Sequence, residues 1–235
     1  MVDREREKQA AAARSMAYVA AGQIVGLGTG STAAHAIRLL GRRVREGLAI
    51  QGVPTSEQTR ELAEAEGIPL LPLEQVSRVD VTIDGADEVD PQLQLIKGGG
   101  GALLHEKIVA AASERLIVIA DSSKLVGRLG RFPLPVEVVP RAWRLLAGRL
   151  AALGCTPALR QRADGGTVYV TEEGNYLLDC AFGAVDDPPR LARALNEMPG
   201  VVEHGLFIDM ADAVIIGRGG DAEVLTAGAR PPHRL

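Results

Sequence analysis

Three carboxylates, Asp84, Asp87 and Glu88, close the stretch Val79-Asp80-Val81-Thr82-Ile83-Asp84-Gly85-Ala86-Asp87-Glu88, and soon after them come a lysine, four glycines and a further glutamate in Lys97-Gly98-Gly99-Gly100-Gly101-Ala102-Leu103-Leu104-His105-Glu106. Asp84 and Asp87, three residues apart, could share a proton or bind a divalent ion. Four consecutive glycines cost backbone entropy and fill no space, so they suit close approach of backbone N–H groups to something small and polar. A merely flexible loop would have the same composition, but the acidic loop and Lys97 beside it favour a site. The familiar metal motifs fail here. Val89 stands where an EF-hand needs its turn glycine, and Val109 where a zincin needs its second histidine. Lys97 can balance the acidic charge instead, which favours acid–base and hydroxyl-binding roles. Taken alone, Glu106 is a first-turn glutamate of the kind a helix dipole favours.

The elements that hold these residues follow from pattern. Val79 to Ile83 is β-branched and apolar with no breaker until Gly85, so the acidic cluster sits where a strand runs out into a loop. Upstream, Arg4 to about Ala21 is Ala-rich and helical by propensity, with Lys8 near its start. A strand at Gln23–Leu27 leads through Gly28-Thr29-Gly30-Ser31-Thr32 into a helix from Ala33 to about Leu40. Strand, glycine-rich turn and helix is a phosphate-binding geometry, although the glycines could serve the turn alone. The turn is neither a dinucleotide fingerprint, which needs glycine or alanine at Ser31 and an acidic residue ending the next strand, nor a Walker A loop, which needs a lysine.

A strand at Ala49–Pro54, a helix from Glu57 to Glu66 capped by Ser56 and stopped by Gly67, and a short strand at Ile68–Leu71 come next. After the glycine run a helix extends to Arg115, then a strand from Leu116 to Ala120 ends in Asp121-Ser122-Ser123-Lys124. Alternating strands and helices predict parallel β-α-β units with right-handed crossovers, in which ligands bind at the carboxyl ends of the strands. Thr29 to Thr32, Asp84 to Asp87 and Lys124 all fall at such ends.

Beyond Arg131-Phe132-Pro133-Leu134-Pro135 the order changes to strand (Val136–Val139), helix (Ala142–Leu153), strands (Thr156–Arg162, Thr167–Thr171, Tyr176–Ala181), helix (Pro188–Met198) and strand (Val201–Ile208), close to a ferredoxin-like module. Ala213 to Gly217 is expected to return to the first sheet. The expected organisation is an α/β fold: a Rossmann-like, mostly parallel sheet with helices on both faces (1–131 and 208–228), an inserted α+β domain (132–207) and a frayed tail (229–235).

Among 235 residues, 46% are hydrophobic and 24% charged, with a net charge of −4, which fits a globular chain and argues against a nucleic-acid surface. The charged start and the absence of any bilayer-length apolar run point to a cytoplasmic protein with no membrane partner. Cys155 and Cys180 read as buried free thiols. His35 and His204 read as core or surface residues rather than ligands.

In order and spacing, Gly28 to His35, Asp84 to Glu88, Lys97 to Gly100, Glu106-Lys107, Ala120 to Lys124 and Phe132 to Val138 resemble the ribose-5-phosphate isomerases of type A, over most of the chain. The resemblance implies interconversion of D-ribose 5-phosphate and D-ribulose 5-phosphate, a step of the non-oxidative pentose phosphate pathway, with no metal and no cofactor. It places Glu106 as general base and lets Thr29, Gly30, Ser31 and Thr32 hold substrate. Asp84, with Gly85 and Ala86, and Asp87 would act on its hydroxyls. Positive charge would come from Lys97, beside Gly98, Gly99 and Gly100, and from Lys124, with Lys8 on the phosphate. A homodimer or homotetramer is implied as well. Departures occur at Gly101, where alanine is usual, at His105, and in Ala181-Phe182-Gly183-Ala184.

Such an isomerase needs a carboxylate to move a proton from C2 to C1 and a cation or donor for the enediolate oxygen, which Glu106 and Lys97 could supply. Two readings outside this class are a non-catalytic phosphosugar sensor, for which the N-terminal helix is too short and acidic to bind DNA, and a coenzyme A transferase using a glutamate nucleophile. An amino-sugar phosphate isomerase is the near neighbour.

Overall fold

The structure, a computed structural model, describes residues 2–226. Along the chain run α1 (Arg4–Ser15), β1 (Ile24–Leu27), α2 (Ser31–Arg45), β2 (Gln51–Pro54), α3 (Glu57–Ala65), β3 (Val81–Asp84), β4 (Glu88–Val89), β5 (Leu95–Ile96), α4 (Leu103–Ala111) and β6 (Leu116–Asp121). They are followed by β7 (Leu134–Val138), α5 (Trp143–Ala151), β8 (Thr156–Leu159), β9 (Tyr176–Ala181), α6 (Pro188–Asn196), β10 (Val201–His204), β11 (Leu206–Phe207), β12 (Ala213–Arg218) and β13 (Asp221–Thr226).

The chain clusters into two compact units, one of residues 2–86, 105–124 and 209–226, the other of residues 87–104 and 125–208. These bounds differ from the single insertion of 132–207 expected: the second half of the acidic loop and the whole glycine run belong to the second unit. The expected tail, 229–235, lies outside the described residues, as do residues 227–228.

Unit one is a six-stranded sheet in the order β13-β12-β6-β3-β1-β2, parallel throughout except for the β12–β13 pair. Val25, Leu27, Val81, Ile83, Ile117, Ile119 and Ile215 alternate along the strands onto one face, where they pack with Ala11 and Ala12 of α1 and Ala36, Ile37 and Leu40 of α2. On the other face α4 lies so close that a Cβ at Gly26 would meet Thr82 Oγ1 at 1.9 Å and Val109 Cγ1 at 2.8 Å. Fully burying each of these aliphatic side chains contributes about 1.5–3 kcal/mol. Since β1 pairs with β2 on one side and β3 on the other, the strand order reverses between β1 and β3. That reversal is the switch point at which open α/β sheets bind ligands.

Unit two contains a four-stranded antiparallel sheet in the order β10-β7-β9-β8, with α5 joining β7 to β8 and α6 joining β9 to β10. This is the ferredoxin-like order. A small sheet, β11-β5-β4, carries the segment that leads to Lys97. Cys155 and Cys180 are buried free thiols, as expected.

Several expected elements are shorter or different. Ile68–Leu71 forms only a bridge from Leu70 to Gly52, and Thr167–Thr171 only the bridges Gln161 to Val168 and Val170 to Tyr176. In that second segment Thr167 and Val170 are exposed, Val168 and Tyr169 only partly buried and Thr171 alone buried, so no continuous buried face holds a regular strand. In the other direction, α2 continues past Leu40 to Arg45, because Arg42, Arg43 and Arg45 suit the end of a helix dipole. Ser56 caps α3 by accepting from Thr59 N at 3.1 Å, and Gly67 follows it with φ +74°, as expected.

Candidate active site

In unit one the candidate residues gather at the carboxyl ends of β1, β3 and β6. Thr29 N donates to Asp84 Oδ1 at 3.1 Å and Gly85 N donates to the same oxygen at 2.7 Å, so one carboxylate ties together the loops on both sides of the switch point. Gly28 is required by that contact, since a Cβ there would lie 2.1 Å from Asp84 Oδ1. Asp84 is fully buried. Thr29 turns its hydroxyl inward, 2.8 Å from both Thr55 Oγ1 and Ser56 Oγ and 3.1 Å from Thr59 Oγ1. Thr55 and Thr59, which fix the turn from below through Leu27 O and Gly28 O, carry no signal in the sequence beyond lying beside a helix cap.

Gly30 is the N-cap of α2, with φ +104° and no side-chain oxygen to cap the first turn, while Ser31 is exposed. A cavity of about 440 Å³ opens at this turn, lined by Gly28, Gly30, Ser31, Arg38, Gln58 and Thr59 among others. Helix N-terminal amides, a serine hydroxyl and a nearby guanidinium are the donors an anion needs. Arg38 and Gln58 were not anticipated; Arg38 lies seven residues after Ser31 on α2, a spacing that brings it back to the same side.

At the end of β6, the short turn Ser122–Lys124 is held by two carboxylates. Glu7, buried in α1, accepts from Ser122 N at 3.0 Å, Ser122 Oγ at 2.8 Å and Gly219 N at 3.2 Å. Asp121 accepts from Ser123 N and Arg4 Nη1, both at 2.9 Å, and from the Ser123 hydroxyl. Lys8, next to Glu7, is half-buried beside Glu5. Burial pushes both carboxyls up, but the hydrogen bonds from Ser122 and Gly219 to Glu7, and from Ser123 and Arg4 to Asp121, outweigh it and hold each below its ordinary value of 4.5 or 3.8. A depressed folded-state pKa gives stability that is complete above the ordinary value and lost as pH falls through the folded one.

Glu7→Gln is accordingly expected to lower stability at neutral pH by about 1–3 kcal/mol, the cost of mismatching a buried donor. The difference from the parent should shrink below pH 4.5. Urea unfolding at the two pH values checks it; a constant difference would contradict the role given to Glu7.

Glu106 sits in the first turn of α4 and is 5% exposed. In unit two, Lys97 follows β5 and is 2% exposed, with its ammonium 5.3 Å from the Phe207 ring centroid and its backbone N donating to Gly205 O at 2.9 Å. Gly98 to Gly101 form a turn closed by Gly101 N to Gly98 O at 3.0 Å, with φ +97° at Gly98 and +87° at Gly101. Gly99 N donates to Asp87 Oδ2 at 2.8 Å, so the turn holds the second carboxylate of the acidic loop. The departure at Gly101 is explained by packing: a Cβ there would lie 2.1 Å from the Tyr169 hydroxyl.

Glu88, a bystander of the acidic loop by sequence, is fully buried and accepts from Gly130 N and Phe132 N, both at 2.7 Å. It braces a loop. His35 pairs with Glu5 on the surface, and His204 is buried with Nδ1 accepting from Leu206 N at 3.2 Å.

A parallel sheet with donors and carboxylates at its switch point, together with a ferredoxin-like unit, defines an α/β enzyme built to handle a small phosphorylated substrate. The family model Ribose 5-phosphate isomerase A (phosphoriboisomerase A) matches residues 51–221. A ribose-5-phosphate isomerase A from Rhodopseudomonas palustris (strain TIE-1) is 56% identical over 220 residues, covering 92% of this chain and 95% of the relative. A solved D-ribose-5-phosphate isomerase in complex with phospho-erythronic acid matches with a TM-score of 0.93 at 40% identity, covering 95% of this chain and 99% of that one. The ribose 5-phosphate isomerase A of Neisseria gonorrhoeae matches with a TM-score of 0.90 at 42% identity, covering 97% and 100%. The chain belongs to the ribose-5-phosphate isomerase A family, and its reaction is the isomerisation of ribose 5-phosphate.

Proposed function

We propose that the isomerisation runs through an enediolate, with Glu106 lifting the proton from C2 and returning it to C1. Lys97 and a backbone amide of the glycine turn, that of Gly100, hold the oxygen on which negative charge develops. The observation that carries this reading is the burial of both Glu106 and Lys97, 5% and 2% exposed, the two charged residues that flank the glycine run in the sequence. A base and a cation kept from water act in a low effective dielectric, where each is worth more to a developing charge.

Asp84, with Gly85 and Ala86, and Asp87 take the remaining hydroxyls and the opening of the furanose ring. Gly30, Ser31 and Thr32 hold the phosphate, with Lys8 and Lys124 adding positive charge, and Thr29 acts through the shape of the turn. Phospho-erythronic acid, named with a solved relative, fits the same chemistry: its carboxylate resembles the enediolate and its phosphate the substrate's. A cytoplasmic homodimer or homotetramer is proposed on family membership, which also displaces the sensor and coenzyme A transferase readings.

The reaction is proposed to need no metal. In support, no group of three or more His, Cys, Asp or Glu side chains among the described residues is arranged to hold one. Dialysis against a chelator is therefore expected to leave turnover of ribose 5-phosphate unchanged; loss of activity restored by a divalent ion would overturn the metal-free route. A panel including amino-sugar phosphates, assayed alongside, tests the substrate itself, and ribose 5-phosphate should dominate it.

A further inference from the structure

Glycine runs are floppy, yet an oxyanion site needs its donors fixed before the reaction begins. In this chain the turn is braced by residues that no motif singles out. Arg160, just past β8, has a side chain 12% exposed. Its Nη1 donates to Gly98 O at 3.0 Å and to Gly99 O at 3.2 Å. The rest of the guanidinium is clamped by Asp179 of β9, through Nε to Oδ2 at 2.9 Å and through Nη2 to Oδ1. Tyr169 lies with its ring centroid 5.9 Å from the guanidinium carbon and its hydroxyl 3.4 Å from Gly100 O. Three successive carbonyls of the turn are thus engaged from one side.

That arrangement has a geometric consequence. In a trans peptide, the C=O of one residue and the N–H of the next point in opposite directions. Fixing Gly98 O toward Arg160 sends the Gly99 N–H the other way, and it is found there on Asp87 Oδ2 at 2.8 Å. By the same rule, fixing Gly99 O sends the Gly100 N–H away from Arg160. We infer that Arg160 is a positioning residue, which by holding the Gly98 and Gly99 carbonyls aims the Gly100 N–H at an oxygen of the bound sugar. This rests on the reading of the glycine turn as part of the site. Only arginine offers a planar fork that can bind a carboxylate side-on and still donate to two carbonyls.

The test compares Arg160→Met and Arg160→Lys with the parent, measuring kcat and KM for ribose 5-phosphate, inhibition by phospho-erythronic acid and the thermal midpoint. Arg160→Met is expected to lose about a hundredfold in kcat, the scale of a misplaced site, with little change in KM. Its affinity for phospho-erythronic acid should fall in parallel, since the inhibitor's carboxylate would use the same N–H. Arg160→Lys should fall between parent and Arg160→Met in both. A role confined to stability would lower the thermal midpoint and the active fraction but leave inhibitor affinity at the parent value, and that result would overturn the inference. Turnover near the parent's in Arg160→Met would overturn it as well. Should Arg160→Met fail to fold, the inhibitor affinity of Arg160→Lys decides by the same criterion. Lys97→Met is run beside them: parent-like activity there removes the reading of the site, whereas an inactive Lys97→Met beside an active Arg160→Met removes only the positioning role.

Discussion

Glu106→Gln is expected to keep the fold and lose roughly two to four orders of magnitude in turnover, the scale of general-base catalysis. Glutamine preserves the shape of the side chain and its fit to the first turn of α4 while abolishing proton acceptance. Circular dichroism and the thermal midpoint establish the fold, and a coupled assay with ribose 5-phosphate gives the rate. Glu61→Gln, at an exposed position of α3, is a better comparison than Glu88→Gln, because Glu88 is buried and holds the amides of Gly130 and Phe132. Turnover of Glu106→Gln within about tenfold of the parent, a barrier difference of only about 1.4 kcal/mol, would move the base elsewhere, with Asp84 or Asp87 next to test.

Removing the phosphate should cost nearly as much. The cavity beside Gly30, Ser31 and Arg38 offers amide, hydroxyl and guanidinium donors. With charge-assisted hydrogen bonds at about 1.5–3 kcal/mol each, two or three of them are worth roughly a hundredfold at the least and more than a thousandfold in the middle of that range. Ribose is therefore expected to be a very poor substrate. The loss should appear in kcat as well as KM, because binding energy remote from the reacting carbons also positions them. Comparable kcat/KM for ribose and ribose 5-phosphate would remove the turn at Gly28–Thr32 from the account.

The strand-and-turn pattern made the first sheet legible because β1, β3 and β6 are short apolar runs that each end in a chemically distinctive turn. The return of Ala213 to the sheet was readable for the same reason. β13 was not, because its alternately exposed residues form an edge strand that resembles a polar turn in sequence. Glu106 and Lys97 stood out by their place around four glycines. Arg160 and Tyr169 did not, since their contacts to the turn join residues more than sixty positions apart, and neither did Asp179, which reaches the turn only through Arg160 and the pairing of β8 with β9. The partners of the Thr29 hydroxyl, Thr55, Ser56 and Thr59, were not legible either. Side-chain direction at a turn is set by neighbours that the local sequence does not show.

The most direct measurement follows the C2 hydrogen itself. Ribose 5-phosphate deuterated at C2 is incubated with the parent and with Glu106→Gln, and deuterium is read in water and at C1 of the ribulose 5-phosphate formed. A carboxylate base that lifts the C2 hydrogen and returns it to C1 predicts that release of deuterium from C2, whether to C1 or to water, falls in Glu106→Gln by the same factor as turnover. Release from C2 that is undiminished in Glu106→Gln would contradict it.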